Sequence, residues 1–529
     1  MPKNVTESRP AFEGGIDVVR QPFESTLRAL AAYIAVAAFA AAYLLPFMRV
    51  LRRVGDEGSI LYGAHRILNG QIAGRDFFEP IGPLPFYWLA AFFRIFGEAV
   101  YTSRGLLLGT GVLLSLLVFY FARTIKANRA ICVLFAVTLL IPVFPANSQH
   151  WDSDLFALSA FAAFLKWQQN RKDWLLVSCG LFAGLTTCAM QHKGFLMCLA
   201  LVISLLLAER RNRLRCMGAV IAGYLAVLLA LAAFYASEGA LGALVYSNLI
   251  WPALHYRAVN SVPYGFGLLS FFVMPWFNSL RTIMPLPGAT IVTATLAAPL
   301  IVLFALPVLL AACAALLRKR AFSTELLPFW IGGVALWASE LHRPDMCHLV
   351  YGSPILIVLV VSLCERIRCA RIISTLTVIC LVLASALSLL APLSANTKIQ
   401  TRRGVLYGFK HDIGWNTLFA HTPAREPILV YPYDPMYYFI SATENPTQLS
   451  ILMYGYNTPA EFKSATECLE ARHVQHVLWD TQVSGSNLVN WFPHYHQPTG
   501  DEAIMERYIE SHYHQIAFAN GFRVMARND

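Results

Sequence analysis

Residues 55–88 read GDEGSILYGAHRILNGQIAGRDFFEPIGPLPFYW, and this stretch decides how the rest of the chain is understood. Two acids, Asp56 and Glu57, open a segment, Ile60 to Asn69, whose apolar residues recur at helical spacing. Gly74-Arg75-Asp76 follows, then Glu79 and a proline-rich run, Pro80 to Pro85, that ends in Phe86-Tyr87-Trp88. So many ionisable groups do not suit a plain connector. Two readings of the acids stand side by side. They cap a helix, where carboxylates complement the dipole, or they sit at a boundary where partial desolvation tunes a carboxylate for proton transfer.

Outward from this stretch the chain turns apolar. Of 529 residues, 57% are hydrophobic and 14% charged, against roughly 25% charged in soluble proteins. With a mean hydropathy of +0.52, too few polar side chains exist to cover a globule of this size, which excludes an ordinary soluble enzyme. About eleven runs are candidates to cross a hydrocarbon core, near 27–48, 106–121, 130–144, 155–167, 174–190, 195–208, 217–235, 289–317, 326–341, 349–364 and 372–390. The expected fold class is an α-helical polytopic membrane protein with a small α/β extracytoplasmic C-terminal domain.

The net charge of +10 is concentrated in alternate connectors. These hold Arg123, Lys126 and Arg129; Lys166, Arg171 and Lys172; Arg210, Arg211, Arg213 and Arg215; Arg318, Lys319 and Arg320; Arg366, Arg368 and Arg371. Such a pattern places these loops in the cytoplasm and marks an orientation signal, not a nucleic-acid surface. The expected layout is a cytoplasmic lead-in over 1–26, without a removable signal peptide, and a membrane domain over 27–391. Its outer loops span 49–104 and 236–288, and a domain over 392–529 lies outside the inner (plasma) membrane. Arg49, Arg52 and Arg53 break the charge rule on the outer side. Cys347 and Cys468 are the only outer-side cysteine pair, read as free thiols.

Within the tail, strands are expected over Pro427 to Tyr431 and Val474 to Trp479, and helices over Pro459 to Ala471 and Asp501 to His512. Gln515 to Phe518 and Phe522 to Met525 flank Asn520-Gly521, a hairpin signal.

The stretch 55–88 resembles the first extracytoplasmic loop of the GT-C superfamily of membrane glycosyltransferases, in the branch of protein mannosyltransferases and aminoarabinose transferases. The resemblance rests on Asp56-Glu57, on Tyr62 to Leu68 and on Glu79 to Trp88; it is strong from Asp56 to Arg104 and loose beyond. It implies transfer of a sugar from a polyprenyl-phosphate carrier to an acceptor hydroxyl on the outer face. Asp56 would be the general base, and Glu57 a catalytic partner that positions the sugar or holds a cation. Tyr62, Asp76, Glu79, Asp152 and Asp345 are the candidates for contacting substrate. The implied partners are a polyprenyl-phosphate-linked sugar, membrane lipids and an acceptor glycan, lipid or protein; nucleic acid is not among them.

One departure matters. Many relatives carry a Lys ahead of the proline-rich segment, where this chain has Glu79. A leaving phosphate gathers negative charge that a cation stabilises in the transition state, so another cation must serve. Candidates for binding the donor phosphate are Arg75, Lys193, Arg257, His342, Arg343 and His348. Lys193 lies between two apolar spans, so it either snorkels toward the headgroups or binds phosphate. In Arg343-Pro344-Asp345-Met346-Cys347-His348 an Arg offers a planar fork for phosphate, and Asp345 could orient it.

His342, Asp345 and His348 match no strong metal template, so no metal ligand is assigned and no cofactor is expected, although a divalent cation remains open. Asp152 and Asp154, beside Trp151, read either as sugar-binding acids or as a solvated loop. Trp251 reads as an interfacial belt residue. Six tail histidines, His473, His476, His494, His496, His512 and His514, are scattered over separate elements and read as packing or solvated groups.

A transporter or lipid flippase without transferase activity is the alternative. That class often shows paired halves and mid-membrane charges, whereas no internal repeat is visible and most charges lie at helix ends. An O-antigen ligase or polymerase would use a different large loop and lacks this early acidic motif.

Overall fold

A computed structural model describes residues 23–52, 55–209, 211–367 and 370–528. The lead-in before residue 23, together with Arg53, Arg210 and Arg368, lies outside them. In hydrocarbon every backbone group must be satisfied internally, and the apolar runs accordingly form helices. Nine come first among the described residues: α1 (Phe23–Met48), α2 (Gly55–Leu68), α3 (Leu84–Phe96), α4 (Val100–Thr124), α5 (Arg129–Val143), α6 (Gln149–Asn170), α7 (Asp173–Ala189), α8 (Gln191–Ala208) and α9 (Arg213–Ser237).

Each expected run contains helix, but eleven uniform spans do not result. Among the described residues six helices are long and apolar enough to cross a membrane, or seven if the bent pair Met346–Gly352 and Pro354–Cys364 is one span. Four others, including α5 and α7, are apolar but shorter than 18 residues. Prolines explain two departures. The run 289–317 divides into Leu286–Phe304 and Leu306–Leu317, with Pro307 in the first turn of the second helix. Pro354 likewise opens a new helix after Ser353, and the chain bends there by 71°. The chain is a multi-pass membrane protein.

The largest apolar core joins α1, α4, α5, α6, α7 and α8 with Phe329, Leu336 and the residues around Ile355 to Leu363. Near the end of α1 the guanidinium of Arg49 donates to the carbonyls of Pro392 (3.3 Å) and Ala395 (3.1 Å). One of the three exceptions to the charge rule thus caps the end of the membrane region.

The C-terminal region forms two sheets. A hairpin, β1 (Thr397–Thr401) with β2 (Gly404–Gly408), was not expected from sequence; Tyr407 ties it to α1 through Leu51 and Arg49. Then β3 (Ile428–Tyr431), β4 (His476–Asp480), β5 (Tyr513–Ala519) and β6 (Phe522–Arg527) pair in the order β3-β4-β6-β5, parallel between β3 and β4 and antiparallel elsewhere. Asn520 and Gly521 both have positive φ, 49° and 81°, as the hairpin signal requires. The expected helices form as Pro459–Ala471 and Ile504–His512. Cys347 and Cys468 are unpaired.

Strand periodicity places alternate residues of this sheet in two cores. Leu429, Tyr431, Val477, Trp479 and Met525 pack on the two tail helices. Ile428, Val430, Leu478, Phe522 and Val524 join Ile60, Leu61, Phe86 and Phe93 of α2 and α3. The tail therefore has a core of its own and a second one shared with the first loop.

Candidate active site

Asp56 and Glu57 lie in the first turn of α2, and His65 and Arg66 in its last, the charge order the helix dipole favours. The capping reading is therefore compatible with the structure, but the surroundings of Asp56 add more. The glycines at the start of α2 allow a very close approach of the tail: a Cβ on Gly55 would lie 1.9 Å from the Tyr433 ring, and one on Gly58 2.1 Å from the Met436 nitrogen. Docked this way, Tyr433 hydrogen-bonds the Asp56 carboxylate. Burial raises the pKa of Asp56, and the neighbouring His348 and Arg343 partly oppose this. The residue as a whole is of intermediate exposure.

Arg343 and His348 are both oriented by Asp345. The Asp345 carboxylate accepts from Arg343 Nε (2.9 Å), pairs with His348 Nδ1 (2.8 Å) and accepts from the His348 backbone N–H (3.0 Å). Burial pushes the Asp345 carboxyl up, but His348 and Arg343 outweigh it and hold it below the usual carboxylate range. Arg343 also donates to Asn260 Oδ1 (2.7 Å) and to the Trp491 carbonyl (3.1 Å). The loop around residue 266 holds this segment in place, since Gly265 N–H donates to the Pro344 carbonyl and Met346 N–H to that of Phe266.

Glu79 approaches from the proline-rich run. It is buried, accepts from the hydroxyls of Ser59 and Ser450, and leaves one oxygen unpaired. Burial lifts it to about 7. The charges of Asp56 and Glu79 both act on the phenols of Tyr433 and Tyr456, which places these residues in one cluster.

The other sequence candidates fall in three places. Glu57 points away from Asp56 into a buried ion pair with Arg104 (2.7 Å), whose Nη1 also donates to the Pro145 carbonyl (2.6 Å). Lys193 neither snorkels nor stands free: the residue is 1% exposed, and its ammonium lies 2.6 Å from Asp154 and 2.7 Å from Glu340. Asp152 is buried on α6, so the solvated-loop reading of Asp152 and Asp154 fails. His342 meets His192 and His348 edge to face and the tilted ring of Tyr256, and lies beside the cluster.

Tyr62, Arg75 and Asp76 lie apart from Asp56. Tyr62 accepts from the Asn445 N–H (2.8 Å), and Arg75 pairs with Asp76 (2.8 Å). Tyr62 and Asp76 line an open groove of about 1190 Å³ between α2 and the tail, with Arg425 and Arg472 on its far side. Phe78 bonds its N–H to the Gln448 carbonyl at this border. Arg257 is exposed and forms no ion pair among the described residues. Trp251 is 1% exposed and packs on Phe78 and Tyr456, so it is no belt residue.

Several groups were not picked out from sequence. Arg104 is a lone cation at the start of an apolar run, a signal that was present and unused. Tyr456 and Asn260 carried none. His150, Glu340 and His348 place ligand atoms within 4.8 Å of one another, the one group among the described residues able to hold a metal ion; Lys193 already compensates Glu340 there. None of the six tail histidines belongs to such a group.

This arrangement of membrane helices with a C-terminal α/β unit has counterparts in fold among solved structures. ArnT from Cupriavidus metallidurans bound to undecaprenyl phosphate is similar with a TM-score of 0.56 and 13% identity, over 94% of this chain and 97% of that one. The archaeal oligosaccharyltransferase AglB from Archaeoglobus fulgidus, in complex with an inhibitory peptide and a dolichol-phosphate, is similar with a TM-score of 0.52 and 14% identity, over 94% and 74%. These likenesses are of fold. No protein-family model matches the chain, and no curated protein sequence does.

Proposed function

We propose that the chain is an integral membrane glycosyltransferase that moves a sugar from a polyprenyl-phosphate donor to an acceptor hydroxyl on the extracytoplasmic face. The observation that carries this reading is the convergence of Asp56 with Arg343 and His348. A carboxylate whose pKa burial raises stands beside Arg343 and His348, and one acid, Asp345, holds both in place.

Asp56 takes the proton of the acceptor hydroxyl as the oxygen attacks the anomeric carbon, a general-base role. The bond from that carbon to the carrier phosphate breaks, and the phosphate leaves with both bonding electrons. Arg343, with His348 beside it, stabilises the negative charge that develops. Arg343 supplies the cation missing ahead of the proline-rich run, where Glu79 stands. Glu79, Tyr433 and Tyr456 supply polar contacts for the sugar. The fold neighbours, solved with undecaprenyl phosphate and dolichol-phosphate, support a lipid-phosphate carrier.

The test is Asp56→Asn in purified, reconstituted protein. Transfer should fall by about 10²- to 10⁴-fold, the usual contribution of a positioned base, with carrier-lipid binding and melting temperature retained. Undiminished transfer would remove Asp56 as base. Transport of the lipid by the variant, without transfer by the native chain, would favour a flippase.

A further inference from the structure

At the end of α4 far from Arg104, a small cavity of about 220 Å³ is lined by Ala122, Arg123, Lys126, Ala127 and Arg129. Three of its five lining residues are cationic and none is acidic. No ion pair engages any of the three among the described residues. The Glu365 carboxylate is engaged nearby and accepts the backbone N–H of Asn128.

The orientation rule asks only that such charges reside in the connector; it does not ask that they converge on one space. Here they do, and one is fixed without a counter-ion. The Arg123 guanidinium lies over the rings of Tyr33 (5.5 Å) and Phe119 (5.9 Å), and those rings meet edge to face at 5.0 Å. Aromatic faces hold a cation while leaving its N–H groups available. The N-terminus of α5 adds its partial positive charge, although Asn128 already caps two of its N–H groups.

The surroundings identify the ligand. Tyr33 belongs to the same part of α1 as Leu27, Leu30 and Ile34, which are 52%, 56% and 60% exposed. At spacings of three and four residues these form one apolar stripe, beside a cationic pocket and at the end of a membrane bundle. A free anion would use the pocket and ignore the stripe; an amphiphile uses both. Basic pockets between helices on the cytoplasmic side are suited to anionic lipid headgroups, and the charge pattern assigns this end to the cytoplasm. We propose that the cavity binds the phosphodiester headgroup of an anionic phospholipid, with its acyl chains along the exposed face of α1.

Native mass spectrometry of the full chain, released from detergent with phosphatidylglycerol, phosphatidylcholine or inorganic phosphate added, reads this directly. Phosphatidylglycerol should be retained in preference to phosphatidylcholine. Lys126→Gln with Arg129→Gln, both at exposed positions, should weaken retention about fivefold per charge removed, the worth of one basic residue at an anionic surface. Arg123→Gln should weaken it further. Equal retention of the two lipids, or an unchanged affinity in the double variant, would overturn the proposal. Displacement of phosphatidylglycerol by millimolar inorganic phosphate would do so too, by assigning the pocket to the free anion.

Discussion

Arg104 and Glu57 meet at 2.7 Å with both side chains shut off from solvent, and in doing so they pin the first turn of α2 to the start of α4. Asp56 occupies the neighbouring position on that same turn. The pair thereby sets where the proposed base stands without itself reaching Asp56.

Removing one partner leaves an uncompensated buried charge, which costs about 3–5 kcal/mol. Glu57→Gln and Arg104→Met should each lower thermal stability by that order, while the double replacement Glu57→Leu with Arg104→Met recovers most of it. Differential scanning fluorimetry in detergent measures the set. Single variants as stable as the parent would show that the pair contributes nothing.

The pH profile of transfer tests Asp56 by sign. The reaction needs its carboxylate, so rate is present above the pKa and lost as pH falls through it. Burial raises this pKa, so the acid limb of kcat/KM should lie above the value of about 3.9 for an unshifted aspartate. The Tyr433 hydroxyl lowers it. Tyr433→Phe should therefore move the acid limb to higher pH, and a shift to lower pH contradicts the assignment.

Glu79 gives a stability signature of its own. Its folded pKa of about 7 exceeds the value of about 4.3 in an unfolded chain, so the native state binds the extra proton between those values. Its stabilisation is present at low pH and lost as pH rises from about 4 to 7. Glu79→Gln should flatten that dependence and raise stability above pH 7, by up to about 4 kcal/mol at 1.36 kcal/mol per pKa unit. Parallel stability curves for the two proteins would refute this.

Lys193 and Arg343 should separate cleanly. Lys193→Met strands Asp154 and Glu340 as buried charges, and its main effect should be a loss of melting temperature and yield. Arg343→Lys keeps the charge but loses the planar fork, and kcat should fall about 10²-fold, more than the donor KM rises. Steady-state kinetics beside a melting curve distinguishes them. The assignment fails if the Lys193 variant melts normally and loses donor affinity instead.

Much of the fold was legible. Apolar runs marked helices, and Asn520-Gly521 marked a hairpin, because those signals are local. What failed was non-local. The division at Leu306-Pro307 and the bend at Pro354 were hidden by uninterrupted hydropathy, although the prolines were in view. Arg343, Asp345 and His348 could be grouped because they lie within six residues of one another. Lys193 could not be understood alone, because Asp154 and Glu340, which neutralise it, come from distant helices. Trp251 looked like a boundary residue until Phe78 and Tyr456 closed over it.

The docking of Tyr433 against Gly55 also orders events in time. Asp56 emerges early in synthesis, whereas Arg343 and His348 follow much later and Tyr433 later still. Contacts so far apart in sequence form late. A nascent chain with most of its helices already inserted thus holds the proposed base without the groups that would make it useful, and a chain interrupted before residue 433 should be inserted yet inert.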